Sequence, residues 1–190
     1  MARRLLQQMA RYPRPGRVKT RLQVAMSAAE ACAVHEELLC LTTEALLDAG
    51  LGPVELWLDC LEPHPTVSGL IRSGVSGPYL QSPGDLGERM YAALASGLSR
   101  AEQVVLVGSD CPLLTRDYLG RAFAALEQAD VVFGPAEDGG YVLLGCRRLR
   151  PGMFEAVQWG SDSVLHRNIE ALEARGLSHA SLDTLWDIDT

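Results

Sequence analysis

Four short stretches of the sequence carry residue types and spacings that can do chemistry. In Pro15-Gly16-Arg17-Val18-Lys19-Thr20-Arg21-Leu22 a glycine lets backbone approach a phosphate, while Lys supplies a point charge and Arg forked donors. Gly16, Arg17, Lys19, Thr20 and Arg21 are therefore candidate phosphate ligands. Lys19 is the one lysine of the chain, which hints that a compact ammonium is required there. The G-x-x-x-x-G-K pattern of a Walker A loop is absent, and a solvated basic segment would have the same composition. In Gly108-Ser109-Asp110-Cys111-Pro112 an aspartate follows an apolar run. Divalent cations that bridge a diphosphate take one or two protein carboxylates and complete their shell with phosphate oxygens and water, a role open to Asp110. An aspartate that caps the next turn would look the same.

Gly134-Pro135-Ala136-Glu137-Asp138-Gly139-Gly140-Tyr141 places two carboxylates beside paired glycines, which permit close approach of a substrate or form an ordinary turn. Trp186-Asp187-Ile188-Asp189-Thr190 puts Asp187 and Asp189 on one side of an extended segment, as a metal pair or as an acidic tail. Two weaker stretches are Ser82-Pro83-Gly84-Asp85-Leu86-Gly87-Glu88-Arg89-Met90 and Trp159-Gly160-Ser161. In the first, Gly84 and Gly87 open a helix whose N–H groups can meet a phosphate or a base, unless they only form its cap. In the second, Trp159 and a hydroxyl can line a sugar pocket or simply pack in the core. The four histidines form no ligand pair.

The elements that must position these stretches follow from periodicity. Residues 5–10 predict a first strand, with Gln7 and Gln8 standing where a central strand should be apolar. Ser27 and Glu30 form a capping box, and Ala31, Val34, Leu38, Leu41 and Ala45 keep one helical face apolar until Gly50. Strands are predicted over 54–58 and 78–81, then a helix carrying Met90, Leu94 and Leu98. The continuous apolar run 104–107 predicts a strand covered on both faces, followed by a helix capped by Thr115 and running to about 128. Strands over 131–133 and 141–144 flank the Asp/Gly turn, and a last helix over about 162–175 stops at Gly176 before a weak strand. Alternating strands and helices predict one α/β domain over 1–190 with a mainly parallel sheet, which binds ligands at the carboxyl ends of its strands.

Composition narrows the function. A chain of 190 residues with 47% hydrophobic and 22% charged residues buries a core without disulfides, and five scattered cysteines read as small buried residues in a reducing compartment. No apolar run approaches the roughly 20 residues of a membrane span, nor does the start resemble a signal peptide, so a cytoplasmic protein is expected. The net charge of -7 argues against nucleic acid as partner. The charge is uneven. Arg3, Arg4, Arg11, Arg14, Arg17, Lys19 and Arg21 precede the first acidic residue, Glu30, so an acidic body carries one basic segment suited to a small polyanion.

Taken in order, the stretches at 13–22, 84–90, 108–112, 134–141, 159–161 and 187–190 resemble the bacterial GT-A glycosyltransferase-like family associated with arsenosugar biosynthesis. That family is related to phospholactate guanylyltransferase and to the molybdenum-cofactor nucleotidyltransferases. The resemblance covers nearly the whole chain. It implies a nucleotide-diphospho-sugar transferase fold, Rossmann-like, with a mixed sheet flanked by helices. It further implies that Gly16, Arg17, Lys19 and Arg21 hold the donor phosphates, with Lys19 serving catalysis, and that Asp110 binds Mg²⁺ or Mn²⁺ with Asp189, or Asp187 in reserve. Asp138, Gly139, Gly140, Tyr141 and Trp159 would face a small-molecule acceptor, Asp138 as its base. Glycosyl transfer from a nucleotide sugar is the leading expectation. Nucleotidyl transfer to a phosphorylated small molecule and non-catalytic nucleotide binding are the alternatives; the base, sugar, acceptor and oligomeric state are left open.

Overall fold

The computed structural model describes residues 2–155 and 157–186, the side chain of Ala2 excepted. Its strands are β1 (Ala2–Ala10), β2 (Val54–Leu58), β3 (Ser76–Leu80), β4 (Ala101–Val107), β5 (Val131–Pro135), β6 (Tyr141–Cys146) and β7 (His179–Ser181). Its helices are α1 (Ala28–Ala49), α2 (Pro65–Arg72), α3 (Leu86–Leu98), α4 (Arg116–Ala125) and α5 (Val164–Glu173), with a 3-10 turn at Thr20–Val24. The strands form one seven-stranded sheet in the order β3-β2-β1-β4-β6-β5-β7. Pairing is parallel except at β6, which runs antiparallel to both β4 and β5. The mixed, mainly parallel sheet flanked by helices is the one expected from the sequence. Strand order reverses between β1 and β4, which opens a crevice at their carboxyl ends.

Because successive strand side chains point to opposite faces, Leu5 and Leu6 enter different cores. Leu6 packs with Leu39, Leu46, Leu56, Val105, Leu119 and Phe123 beneath α1 and α4, and Leu5 with Met90, Leu94, Val104, Phe133 and Leu144 toward α3. Full burial of each such side chain contributes about 1.5–3 kcal/mol. The same alternation sends two amides to the two faces. Gln7 and Gln8 are both 0% exposed, so β1 is central although it is not apolar throughout. Gln7 Nε2 donates to Glu55 Oε2 (3.1 Å) and Ala93 O (2.9 Å). Gln8 Nε2 donates to Leu39 O (3.1 Å) and Ser109 Oγ (3.0 Å), and its Oε1 accepts from Thr43 Oγ1 (2.6 Å). Buried amides persist because such partners replace water.

Most elements lie where periodicity places them, with shifted ends. The capping box of α1 is present, and Gly50 closes that helix in the left-handed conformation, φ 58°. Thr115 caps α4, but that helix ends at Ala125 rather than near 128. β1, β3 and β4 begin earlier than expected, at Ala2, Ser76 and Ala101, and α5 is shorter than expected. The sequence reading missed α2, a helix of 8 residues started by His64 and Pro65, because only Val67 and Leu70 face the core. No disulfide joins any of the five cysteines. No helix among the described residues is long and apolar enough to cross a membrane.

Candidate active site

A cleft of 740 Å³ lies over the carboxyl ends of β1 and β4. Met9, Ala10 and Arg11 reach it from β1, and Gly108, Ser109 and Asp110 from β4. Val18, Lys19, Thr20 and Arg21 come from the basic loop, Gln81 from the end of β3, and Gly84, Asp85 and Arg89 from the start of α3. Four cationic side chains thus face two carboxylates, Asp85 and Asp110. Local structure explains the loop. Arg17 N–H donates to Arg14 O (3.0 Å), Gly16 turns the chain at φ 77°, and Lys19 takes left-handed backbone at φ 45°. Lys19 is the one non-glycine with positive φ among the described residues, a conformation that costs an L-residue roughly 1–2 kcal/mol.

That conformation carries the ammonium inward. The Lys19 side chain is 3% exposed, and its Nζ lies 2.9 Å from Asp110 Oδ1. The basic loop and the β4 aspartate, far apart in sequence, are brought into direct contact. Behind Asp110, the Gln8 bond to Ser109 Oγ ties the loop to α1, and Cys111 Sγ donates to Trp186 O (3.4 Å). Trp186 is thus held against the residue next to Asp110. Asp187 and Asp189 lie outside the described residues. Among those described, no three His, Cys, Asp or Glu side chains gather as a metal cage. Asp85 is taken up as the N-cap of α3, which leaves Asp110 as the cleft's available hard carboxylate among the described residues, a donor that suits a cation taking most of its shell from phosphate oxygens and water.

A second cavity of 230 Å³ adjoins the first, sharing Met9, Leu86, Gly108, Trp159 and Gly160 as walls. It is further lined by Met90, Leu106, Val142, Leu144 and Val164, with Asp138, Ser161 and Tyr141 as its polar side chains. Asp138 sits in the β5–β6 turn, where its Oδ1 accepts the Gly140 N–H (2.9 Å). Gly139, at φ 88°, accepts the Leu165 N–H on its carbonyl (3.0 Å) and so fixes this turn to α5. A Cβ on Gly139 would stand 2.0 Å from Asp162 O. Tyr141 packs its ring 5.1 Å from Phe133 and turns its hydroxyl to Met90 Sδ (3.9 Å). Burial pushes that phenol far above its ordinary pKa, so it stays neutral.

The candidates from sequence divide into two groups. Lys19, Thr20, Arg21, Gly84 and Asp110 line the cleft, Asp138, Gly140 and Tyr141 line the second cavity, and Trp159 lines both. Gly16, Arg17, Gly87 and Gly139 line neither. Gly87 instead admits close packing, since a Cβ there would stand 2.8 Å from both Phe154 Cβ and Trp159 Cζ2. Asp85 closes a capping box with Glu88, and Gly84, at φ 115°, leaves room for the Glu88 carboxylate. Sequence reasoning did not single out Arg11, Gln81, His35 or Arg89 as site residues, and Arg11 entered it only as part of the basic segment. His35, on α1, donates from Nε2 to Arg11 O (2.9 Å), and Gln81 Nε2 donates to Ala10 O (2.8 Å), so both brace the end of β1. Arg89 was visible only as part of the glycine-rich stretch.

Comparison with known proteins identifies the family and the fold. Residues 42–161 match the model of a family described as an uncharacterized protein conserved in bacteria (DUF2064). No curated protein matches the sequence. A provisionally assigned nucleotide-diphospho-sugar transferase from Desulfovibrio desulfuricans G20 superposes with a TM-score of 0.85 and 27% identity, over 100% of this chain and 84% of that one. Rv0371c of Mycobacterium tuberculosis H37Rv, solved as a manganese complex, gives a TM-score of 0.53 and 18% identity over 100% and 94%. A CMP:2-keto-3-deoxy-manno-octonic acid synthetase complexed with CTP gives 0.62 and 11% over 100% and 94%. The fold is that of the nucleotide-diphospho-sugar transferases and cytidylyltransferases.

Proposed function

The chain belongs to the bacterial DUF2064 family, and on that premise we propose that it is a transferase which takes a nucleotide-sugar donor and moves the sugar to a small-molecule acceptor. The observation that carries this reading is the cleft at the strand switch point, which Arg11, Lys19, Arg21 and Arg89 line together with Asp110, Lys19 in contact with it. Preorganised cations aimed at a diphosphate stabilise the charge that develops as it leaves. Lys19 and Arg21 hold the β-phosphate side, with Thr20 and the Gly84 backbone beside them; Gly16 shapes the loop and Arg17 adds charge at its rim. Asp110, with Asp189 or Asp187, is the proposed seat for Mg²⁺ or Mn²⁺, in keeping with the manganese complex of the Mycobacterium tuberculosis protein. Such a cation supplies Lewis-acid neutralisation of the diphosphate. Asp138 takes the proton of the acceptor hydroxyl, and Gly139 and Gly140 hold its turn in place.

The fold shared with a CTP-bound synthetase favours nucleotidyl transfer as the second reading, because the same cleft serves attack at an α-phosphate. A panel of nucleotides and nucleotide sugars with Mg²⁺ or Mn²⁺ separates the two. We expect binding to raise the melting temperature and acceptor-dependent release of a nucleoside diphosphate; pyrophosphate release from a triphosphate would select nucleotidyl transfer. Binding without turnover of any donor would leave only a nucleotide-binding protein. Asp138→Asn is expected to lower kcat about 100-fold, as loss of a general base does, and to leave nucleotide affinity unchanged. An equal loss of nucleotide affinity would place Asp138 on the donor instead.

A further inference from the structure

The two adjoining cavities have opposite chemistry. The cleft presents four cationic side chains, whereas the 230 Å³ cavity is walled by Met9, Met90, Leu106, Leu144, Trp159 and Val164 with no Lys, Arg or His among its lining residues. Its one charged side chain is the carboxylate of Asp138, which makes no ion pair among the described residues. The Tyr141 hydroxyl faces a thioether rather than a polar partner. An anion entering this space would lose water without gaining a cation, and would meet a like charge at Asp138. An apolar group gains from the same walls. A dry cavity of roughly 150 Å³ already accepts benzene, so the volume here admits a ring-sized group.

We infer that the acceptor is a neutral, largely apolar alcohol or phenol, and not a phosphorylated or carboxylated compound. This rests on the transferase reading above and names the acceptor class for it. The shared walls at Met9, Leu86 and Trp159 put such a molecule beside a donor in the cleft. In the transfer, the acceptor oxygen forms a bond to the anomeric carbon as the bond from that carbon to the β-phosphate oxygen breaks. The electron pair of the broken bond leaves on the nucleoside diphosphate, and the hydroxyl proton passes to the Asp138 carboxylate.

Benzyl alcohol and benzyl phosphate form a matched pair of probes, neutral and anionic, whose binding can be followed by ligand-detected NMR. Benzyl alcohol is expected to bind saturably and without competition from a nucleoside diphosphate. Benzyl phosphate is expected to compete with the nucleoside diphosphate and not with benzyl alcohol. Val164→Phe, which fills the cavity, should weaken benzyl alcohol at least 10-fold while nucleoside diphosphate affinity holds. Ser161→Phe, at a half-buried position that lines this cavity and not the cleft, narrows the same space and should act in the same direction. Benzyl phosphate displacing benzyl alcohol from the cavity, or alcohol binding unchanged in both variants, would overturn the inference. Failure of any nucleotide to bind the wild-type chain would instead overturn the transferase reading, with the alcohol data still deciding what the cavity accepts.

Discussion

Lys19 holds its ammonium against Asp110 only because its backbone is left-handed, at φ 45°. The sequence marked this residue by its rarity but not its partner, since nothing in local spacing links a loop after the first strand to the end of the fourth. The geometry separates two contributions. Lys19→Ala and Lys19→Gly both remove the charge, yet only glycine adopts positive φ without a Cβ penalty. We expect both variants to lose nucleotide affinity by 10-fold or more. The glycine variant should melt about 2–4 °C above the alanine one, the shift that roughly 1 kcal/mol produces in a domain of this size. Equal melting temperatures would show that the loop relaxes once the ammonium is gone. Gly87 teaches the converse. A glycine at the start of a helix reads alike whether a phosphate or an indole approaches it, and only the fold brings Trp159 there.

At the level of elements, β4, β5 and β6 were legible from their apolar runs and α1 from its two caps, but the face read for α1 was wrong: it turns Leu38, Leu39, Thr42 and Leu46 inward and leaves Leu41 43% exposed. The hairpin joining β5 to β6 was announced by Asp138-Gly139-Gly140. What could not be read was how β1 tolerates two amides. Gln8 is bonded to α1 on one side and to the Asp110 loop on the other, so its polarity is an anchoring device between elements that are distant in sequence. Gln8→Leu keeps the volume and removes the bonds. Leaving buried partners unsatisfied is expected to lower stability by about 1–3 kcal/mol. It should also weaken metal-dependent nucleotide binding more than metal-free binding, because the loop that carries Asp110 loses its tether. Titration of the variant with and without Mn²⁺ checks this; an equal loss in both conditions would reduce Gln8 to a core residue.

Across the whole molecule, an acidic surface encloses one cationic cleft, and the sheet separates two cores. The far end of the sheet is closed by Asp130, whose Oδ2 accepts the N–H and hydroxyl of Ser178, each at 3.1 Å, where β5 meets β7. Burial alone would raise this carboxyl, but the Ser178 hydrogen bonds and the charges of Arg148 and Arg147 outweigh it and hold its pKa below the ordinary carboxylate value. A depressed carboxylate pKa contributes stability above its unfolded value and loses it as pH falls through the folded one. Melting curves of wild type and Asp130→Asn should therefore differ at neutral pH and converge below about pH 4. Curves that stay parallel to lower pH would show that this carboxylate does not couple to folding. The sheet's outer boundaries have a separate consequence. β3 bears Pro78, which has no N–H, beside a register shift against β2, and β7 spans only 3 residues. Neither margin offers a regular ladder of donors and acceptors to a strand from another molecule, so this largely apolar sheet is guarded against templating fibrils of its own kind.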